Sequence, residues 1–404
     1  MLAISMIARL FYLVLACGLM SGMVWSGVST PAFAADDDQT LGKKLGLSLY
    51  GYVEASYVQN FNNPASKVNM NRVFDVDSNS FRPHLAQLVL EKEGKTGGSL
   101  IDRVGFRIKL DAGEDTEFTG GTDATDEFDF QEVYAQYILP IGKGIDLRLG
   151  RMNSLIGYEV IESPYNPNFS RSWLFGFGQP FTTTGIRAAY ALTDSVSFAV
   201  GAINAFNGVT SDFNNSKSVE SALYLTPMDG LNITLYGFWG PEGAVGVNNA
   251  DRVLGGGIVD VQATDALELV VEAYYANQAN ASGTGTANAR WNGVAGYVIY
   301  DFTEQWGVRI RGEIWEDAAG TMSCFGFTGK PKAGACVGAT GTTSAPRTPQ
   351  TLWETTFTLQ YMPVPSLMTR FEFRYDKSDK NTFQFGTRAA NHQETLAAEV
   401  VYLF

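Results

Sequence analysis

Sixteen segments of the chain alternate apolar and polar residues. In the segment 102–113, for example, Val104 and Ile108 alternate with Arg107 and Lys109. A strand places successive side chains on opposite faces, whereas a helix, with its 3.6-residue repeat, would mix the two kinds around its surface. The pattern therefore predicts sixteen strands. They cover residues 47–61, 84–94, 102–113, 129–140, 145–154, 185–193, 196–206, 218–227, 231–241, 251–264, 267–278, 289–303, 306–318, 351–363, 367–379 and 392–404.

The connections between the predicted strands alternate between short turns and long loops. Outer-membrane barrels have short turns on the periplasmic side, long loops on the external side and an even number of strands. The sequence therefore predicts an all-β fold, a closed antiparallel transmembrane β-barrel of about 16 strands over residues 47–404. A soluble sandwich or propeller is the alternative. The turns are 95–101, 141–144, 194–195, 228–230, 265–266, 304–305 and 364–366, and the long loops include 62–83, 155–184, 319–350 and 380–391.

The composition of the chain requires closure if it spans a membrane with strands. Beyond residue 34 the sequence has no run of 18 apolar residues, about the length that a spanning helix needs. In hydrocarbon every backbone N–H and C=O group needs a partner, so a spanning sheet must close on itself. A barrel of this size is too wide for side chains to fill, which predicts a water-filled channel unless a loop plugs it. Three tryptophans near strand ends suit the interface girdles: Trp239, Trp306 and Trp353.

The N-terminal residues predict a signal peptide over residues 1–34. An arginine is followed by an apolar stretch, residues 10–25, and then by an A-x-A site that ends at Ala34. We expect cleavage after Ala34 and a short periplasmic segment over residues 35–46. A membrane anchor and lipoprotein processing at Cys17 are the alternatives.

The C-terminal strand predicts insertion into the bacterial outer membrane. Val400, Tyr402 and Phe404 share one face of the predicted strand, and Glu399 points the other way. A last strand of this kind, ending on Phe, is typical of proteins that the outer-membrane assembly machinery recognises. We therefore expect outer-membrane lipid and, through Phe404, the assembly machinery as partners.

The charges of the chain exclude one class of partner and predict a polar lumen. A net charge of −13 argues against nucleic acid. A lysine or arginine on the lipid face at mid-membrane costs about 2–4 kcal/mol, so the charged side chains of the strands should point inward. Rings of such charges can set ion selectivity; the acidic composition favours cations, the arginine rows favour anions, and the sequence leaves both open. The predicted pore-lining residues are Arg103, Arg107, Lys109, Arg148, Arg309, Arg311, Arg370, Arg374, Glu54, Glu132, Glu313 and Glu372.

The loop of residues 155–184 is the candidate constriction. It is about 30 residues long and rich in aromatic residues and proline, which is more typical of a functional loop than of a disordered one. We expect it to fold into the barrel, with Glu159, Glu162 and Arg171 facing the arginines of the wall. Packing over the outer rim, or against another copy of the chain, is the alternative.

The remaining candidate residues predict structure rather than chemistry. Cys324 and Cys336 should form a disulfide within the external loop 319–350. The acidic run of residues 114–129 fits no EF-hand spacing, so we expect a solvated loop rather than a cation site. The two histidines are His84 and His392, and the sequence contains neither a nucleophile elbow nor a zinc-helix motif. We therefore predict no enzyme activity, no metal and no cofactor.

The segment from Met152 to Gly185 resembles the corresponding part of the OmpL-like β-barrel porin family. The opening residues Gly51–Glu54 and the Phe-terminated last strand are similar to that family as well. The resemblance implies a pore-forming barrel of the outer membrane. Its distinctive residues are Glu162, Tyr165, Asn166, Ser170, Arg171, Ser172, Phe181 and Gly185.

These observations predict a porin that lets small hydrophilic solutes or ions diffuse passively through a water-filled lumen. The alternative is a surface, adhesion or assembly protein whose barrel anchors its loops and whose lumen is plugged. Copies of the chain could associate as a homo-oligomer. The sequence specifies neither the solute nor the preferred sign of charge.

Overall fold

The computed structural model describes residues 46–119, 127–207, 212, 214–242, 250–281, 288–323 and 348–404. The predicted signal peptide, nearly all of the segment 35–46 and both Cys324 and Cys336 lie outside these ranges. So do residues 120–126 of the acidic loop. The predictions that concern these residues therefore stay predictions.

Sixteen strands form one closed antiparallel sheet, which confirms the predicted fold. The last strand closes the barrel by pairing with the first, with Tyr52 opposite Leu403. The barrel strands are β1 (Leu47–Asn60), β2 (Ser80–Lys92), β3 (Val104–Ala112), β4 (Phe128–Leu139), β5 (Ile145–Asn153), β6 (Thr182–Ala191), β7 (Val196–Ile203), β8 (Ser218–Met228), β9 (Leu231–Pro241), β10 (Asp251–Thr264), β11 (Leu267–Gln278), β12 (Ala289–Asp301), β13 (Trp306–Asp317), β14 (Gln350–Val364), β15 (Leu367–Ser378) and β18 (His392–Leu403).

Some short elements lie outside the barrel sheet. The loop predicted at residues 380–391 contains a small hairpin, which the alternating pattern did not indicate. Strand β6 begins three residues earlier than predicted, so the long loop before it ends at Phe181. The hairpin strands are β16 (Phe383–Phe385) and β17 (Arg388–Ala390), the helices are α1 (Thr116–Thr119) and α2 (Trp173–Gly178), and the 3₁₀ turns are Leu100–Asp102 and Ser163–Tyr165. Among the residues that the structure describes, no helix is long and apolar enough to cross a membrane.

The two faces of the strands differ as the alternation predicts. On β13, Ile310 and Ile314 are exposed on the outer face, whereas Arg311 and Glu313 are buried on the inner face. Apolar side chains exposed in this way match a surface that contacts lipid. Near the periplasmic end of the same strand, the ring of Trp306 stacks on a tyrosine of β14 with 4.2 Å between centroids.

Two external loops fold into the outer half of the barrel. We call the loop between β1 and β2 L1 (61–79), and the loop between β5 and β6 L3 (154–181). The ring of Phe74 in L1 lies 6.3 Å from that of Phe175 and 5.9 Å from that of Phe181, both in L3. The two loops share one apolar core with the inward-facing side chains of the wall.

This apolar core corrects the expectation of a wet and polar interior. The inner wall from β7 to β14 presents apolar side chains in the outer half, among them Ala222, Leu254 and Trp291, and L1 and L3 cover them. The charged residues of the strands point inward, as the sequence predicts. The aromatic side chains that bury these charges belong to L1 and L3, and the periodicity of the strands gives no information about the direction of loop side chains.

Candidate functional site

Loop L3 contains one short helix, α2, whose start is determined locally. Ser172 is the N-cap, and its Oγ accepts a hydrogen bond from the backbone N–H of Phe175 at 3.1 Å. The helix begins with two apolar residues, and their backbone N–H groups have no partner within the helix itself. Both groups donate to the barrel wall: Trp173 N lies 2.7 Å from Glu313 Oε2, and Leu174 N lies 2.6 Å from Glu313 Oε1.

A second wall carboxylate binds the backbone of L3 in the same way. The N–H groups of Phe169 and Ser170 donate to Glu372 at 2.7 and 3.0 Å. The hydroxyl of Thr358 on β14 donates to the same carboxylate at 2.8 Å. Each of the two carboxyl groups accepts hydrogen bonds from two consecutive backbone N–H groups, and together they fix the path of the loop from residue 169 to residue 174.

Three wall arginines bind the carbonyl groups of the loop. Arg311 donates to Ser170 O at 2.6 Å, Arg374 donates to the carbonyl oxygen of residue 171 at 2.6 Å, and Arg370 donates to that of Asn166 at 2.8 Å. Charged side chains of the wall therefore bind the backbone of L3 in addition to its side chains, such as the hydroxyl groups of Ser163 and Ser170. The sequence of the loop could not reveal these contacts, because every residue carries the same backbone groups.

Each of these arginines is also neutralised within the wall. The salt bridges are Arg311 with Glu354 at 2.7 Å, Arg370 with Glu399 at 2.8 Å and Arg374 with Asp376 at 2.7 Å. All six side chains are buried. Removing one partner of such a buried pair would leave an uncompensated charge, at a cost of about 3–5 kcal/mol.

The three loop residues predicted from the sequence lie at three different contacts. Glu159 accepts a hydrogen bond from Arg311 at 2.7 Å, as a residue facing the wall arginines should. Glu162 pairs with Lys109 of β3, which is a lysine rather than an arginine. Arg171 differs from the expectation, because its guanidinium donates to carbonyls of L3 itself, at Val160, Ile161 and Phe169.

The carboxyl group of Glu162 is held in its charged form. Burial has the largest single effect and raises its pKa, but the charge of Lys109 and the hydrogen bonds that the carboxylate accepts together lower it by more, so the net pKa lies below the ordinary value for glutamate. The side chains of Gln131 and Asn153 add hydrogen bonds at 2.8 and 3.3 Å. The result is a fixed ionic contact between L3 and the wall at β3.

Sequence reasoning did not identify the contribution of L1. Arg72 pairs with Asp376 of β15 at 2.6 Å and with Asp75 of its own loop. The indole N–H of Trp173 donates to the carbonyl oxygen of Asn71 at 2.8 Å. L1 therefore packs between L3 and the wall, and the only signal in the sequence was a single arginine in a loop rich in asparagine.

Toward the periplasm the inward-facing residues are less buried. We call this region the vestibule, and define it by its partly exposed side chains: Tyr50, Glu91, Arg107, Asp146, Arg148, Asp260 and Glu268. Tyr158 and Tyr165 of L3 are partly exposed next to it, and the hydroxyl of Tyr158 lies 3.5 Å from Glu268. The vestibule is the part of the lumen that the loops leave accessible.

The remaining predicted pore-lining residues lie at or near the vestibule. Arg107 pairs with Glu91 at 2.5 Å, and the second contact of its guanidinium is Glu132 at 3.2 Å. Arg148 pairs with Asp146 at 2.8 Å. The others are Arg309, which pairs with Asp301 at 2.7 Å, Arg103, which precedes β3 and is partly exposed, and Glu54, which is buried.

One buried contact has the geometry of a Ser–His–Asp triad. His84 Nε2 lies 2.7 Å from Ser56 Oγ, and His84 Nδ1 lies 3.0 Å from Asp115 Oδ1. The imidazole is 0% exposed, and the ring of Phe169 packs edge-on against it at 5.4 Å. A substrate could not reach this serine, so we interpret the contact as a link between strands β1 and β2 and the loop after β3.

A closed sixteen-stranded membrane barrel with a long loop against its inner wall defines the class of outer-membrane channel proteins. The profile of the family described as "Putative beta-barrel porin-2, OmpL-like" matches residues 46–404, and the chain belongs to this family. It is thus a porin of the bacterial outer membrane. No curated protein sequence matches the chain.

Solved porin structures are similar in fold and distant in sequence. The outer-membrane channel DcaP of Acinetobacter baumannii superposes with a TM-score of 0.56 at 12% identity, covering 89% of this chain and 97% of DcaP. OmpF of Salmonella typhi gives a TM-score of 0.56 at 14% identity, covering 89% and 99%. An anion-selective porin from Comamonas acidovorans gives a TM-score of 0.55 at 12% identity, also covering 89% and 99%. At these identities the likeness shows the fold alone.

Proposed function

We propose that L3 is the constriction of the pore, and that small hydrophilic solutes or ions diffuse past it without covalent chemistry. The observation that carries this proposal is the position of L3, which pairs with Lys109 of β3 through Glu162 and, at Leu174 O, accepts a hydrogen bond from Tyr274 of β11, on the opposite side of the barrel. A loop bound to facing walls crosses the lumen and reduces the cross-section that a solute can use.

The pairing of charges supports a loop that is held in one position. Its binding partners are buried wall residues, and the arginines among them are also paired with wall carboxylates, so the loop has little freedom to leave the lumen. A fixed narrowing gives a steady conductance and a size limit. The pore-lining residues named above would act mainly by holding L3, and those of the vestibule would contact the solute.

The test is to delete residues Glu159–Ser172 and to record single channels in a planar bilayer. We expect a larger unit conductance, because the deletion removes the segment that crosses the lumen. Shortening the β16–β17 hairpin, which lies outside the barrel sheet, is the control and should leave the conductance unchanged. An unchanged conductance after the L3 deletion would place this loop outside the path of the solute.

A second candidate function has one observation in its favour. The outer-half core of L1, L3 and wall residues is apolar and buried, as it would be in a barrel that is plugged and that carries its external loops for adhesion or partner binding. The two candidates differ in one measurement, because a plugged barrel reconstituted as a folded protein would conduct no ions.

We also infer that Phe404 is the residue read by the assembly machinery. Its ring is exposed, while its backbone makes hydrogen bonds in both directions with Gly51, at 2.9 and 3.0 Å. The backbone thus closes the barrel and leaves the ring accessible. Association of copies of the chain stays a prediction, as do the disulfide and the solvated acidic loop.

A further inference from the structure

We propose that this pore prefers cations, and that Asp260 on β10 and Glu268 on β11 set the preference. The inference rests on the proposed diffusion function and deepens it by naming the class of solute. From the sequence alone, the acidic composition predicts a preference for cations, whereas the arginine rows predict a preference for anions. The structure separates charges that are neutralised from charges that face the accessible lumen.

The arginine rows of the inner wall carry little free positive charge. In the outer half, the side chains of Arg311, Arg370 and Arg374 are buried in salt bridges and bind L3. In the vestibule, Arg107 and Arg148 are paired with carboxylates at 2.5 and 2.8 Å. A permeating ion would meet these residues as neutral pairs, whose field falls off much faster than that of a single charge.

Asp260 and Glu268 differ from the other charges of the vestibule because neither forms a salt bridge with a lysine or arginine that the structure describes. The guanidinium of Arg309 acts on Glu268 only from a longer distance, and its own salt bridge is with Asp301 at 2.7 Å. Asp260 has the amide of Asn232 as its hydrogen-bond partner, and Glu268 has the hydroxyl of Tyr158. Both side chains are partly exposed on the inner face, near the periplasmic ends of adjacent strands.

Register places these two carboxylates on one side of the vestibule. Glu268 lies opposite Gln262 of β10, two residues from Asp260, and opposite Ile299 of β12. The next inward charge along this side is Arg309, which lies opposite Ile299 and is neutralised by Asp301 at 2.7 Å. This side of the vestibule therefore carries a net negative charge that faces water.

Three inner-wall and loop arginines without a carboxylate partner do not reverse this sign. Arg171 and Arg252 are buried in the outer half of the barrel, where they bind backbone carbonyls of L3 and the side chain of Gln278. Arg103 precedes β3 and lies at the periplasmic mouth beside the turn that contains Asp102. None of these three arginines therefore adds a free cation to the side of the vestibule that holds Asp260 and Glu268.

The experiment measures reversal potentials of the mature protein in planar bilayers across a tenfold KCl gradient. Wild type should show a reversal potential of the sign that K⁺ selectivity gives. In the double variant Asp260→Asn/Glu268→Gln, the K⁺/Cl⁻ permeability ratio should fall about fourfold. This is the size expected for two unit charges about 8 Å from the ion path in screened water.

Glu316→Gln is the matched control, because Glu316 is on the outer face of β13 and is paired with Arg290 at 3.0 Å. It removes one carboxylate from the barrel without changing the lumen, and its permeability ratio should equal that of wild type. The heat-dependent gel shift of a folded barrel confirms that each variant is assembled.

The outcomes separate the two proposals. Chloride preference in wild type, or an unchanged ratio in the assembled double variant, would overturn the inference and leave the diffusion function in place. A folded wild-type protein that conducts no ions would overturn the diffusion function, and the inference would fall with it.

Discussion

The hydrogen bonds between Glu313 and the backbone of L3 lead to a quantitative prediction for the variant Glu313→Ala. This carboxylate accepts hydrogen bonds from two backbone N–H groups, of Trp173 and Leu174, at 2.7 and 2.6 Å. Removing it leaves both donors buried without a partner. A buried donor left without a partner costs about 1–3 kcal/mol, so docking of the loop should weaken by about 2–6 kcal/mol.

The lower limit is already a large effect on the loop. Since every 1.4 kcal/mol is a factor of ten, about 2 kcal/mol raises the population of the undocked loop about 25-fold. The barrel itself should persist, because the backbone pairing of β13 with β12 and β14 does not involve this side chain. We therefore expect local opening of L3 and not unfolding of the protein.

Hydrogen exchange in detergent, followed by mass spectrometry, measures this opening directly. Peptides that cover residues 169–178 should lose protection in Glu313→Ala by at least about 25-fold, and single channels should show larger and less steady conductance. Glu316→Ala is the control on the same strand. Glu316 faces outward and makes an exposed pair, so its removal should change stability by less than about 1 kcal/mol and leave the loop protected.

Full protection of residues 169–178 in an assembled Glu313→Ala barrel would refute this reasoning. It would mean that Glu372 and the aromatic contacts of L1 and L3 hold the loop without the help of Glu313.

Two further predictions follow from the same contacts. Burial raises the pKa of Glu162, but the charge of Lys109 and the hydrogen bonds of the carboxylate together bring it below the ordinary value of about 4.3. The stabilising effect of Glu162 is therefore complete above that ordinary value and is lost as pH falls through the lowered pKa. Exchange protection of L3 should therefore fall in acid in wild type, and Glu162→Gln should be weakly protected at all pH values; an equal acid response in both would exclude Glu162. Deleting Phe404 should reduce the folded protein in the outer membrane, Phe404→Tyr should retain most of it, and equal yields in all three would contradict the assigned role.

The alternation along the chain determined the barrel. Because the side-chain period of a strand is two, a charge such as Arg107 could not share a face with Ile108, and lipid outside requires the arginine to point inward. The two-residue period and the cost of a charge in lipid both concern residues close together in the chain. The number of strands and their boundaries could therefore be predicted from the sequence with small errors. The hairpin at residues 383–390 was missed because three-residue strands are too short to show a period.

The sequence of L3 indicated its importance but not its contacts. Length, proline content and aromatic residues predicted a constriction, and Glu159 does meet a wall arginine. Glu313 and Glu372, in contrast, were predicted only as pore-lining charges, and they bind backbone N–H groups of the loop. The positions of backbone groups depend on the path of the loop, which periodicity does not describe.

The sequence by itself therefore determined a closed barrel, its orientation in the outer membrane and the inward direction of its charges, because these depend on the repeat of a single strand and on the cost of charge in lipid. Only the tertiary structure decided which charges are neutralised, that L1 and L3 pack against the wall in the outer half of the lumen, and that Asp260 and Glu268 form no salt bridge. Pairing of charges depends on distances between residues far apart in the chain, and the closure of the sheet and the folding of the loops set those distances.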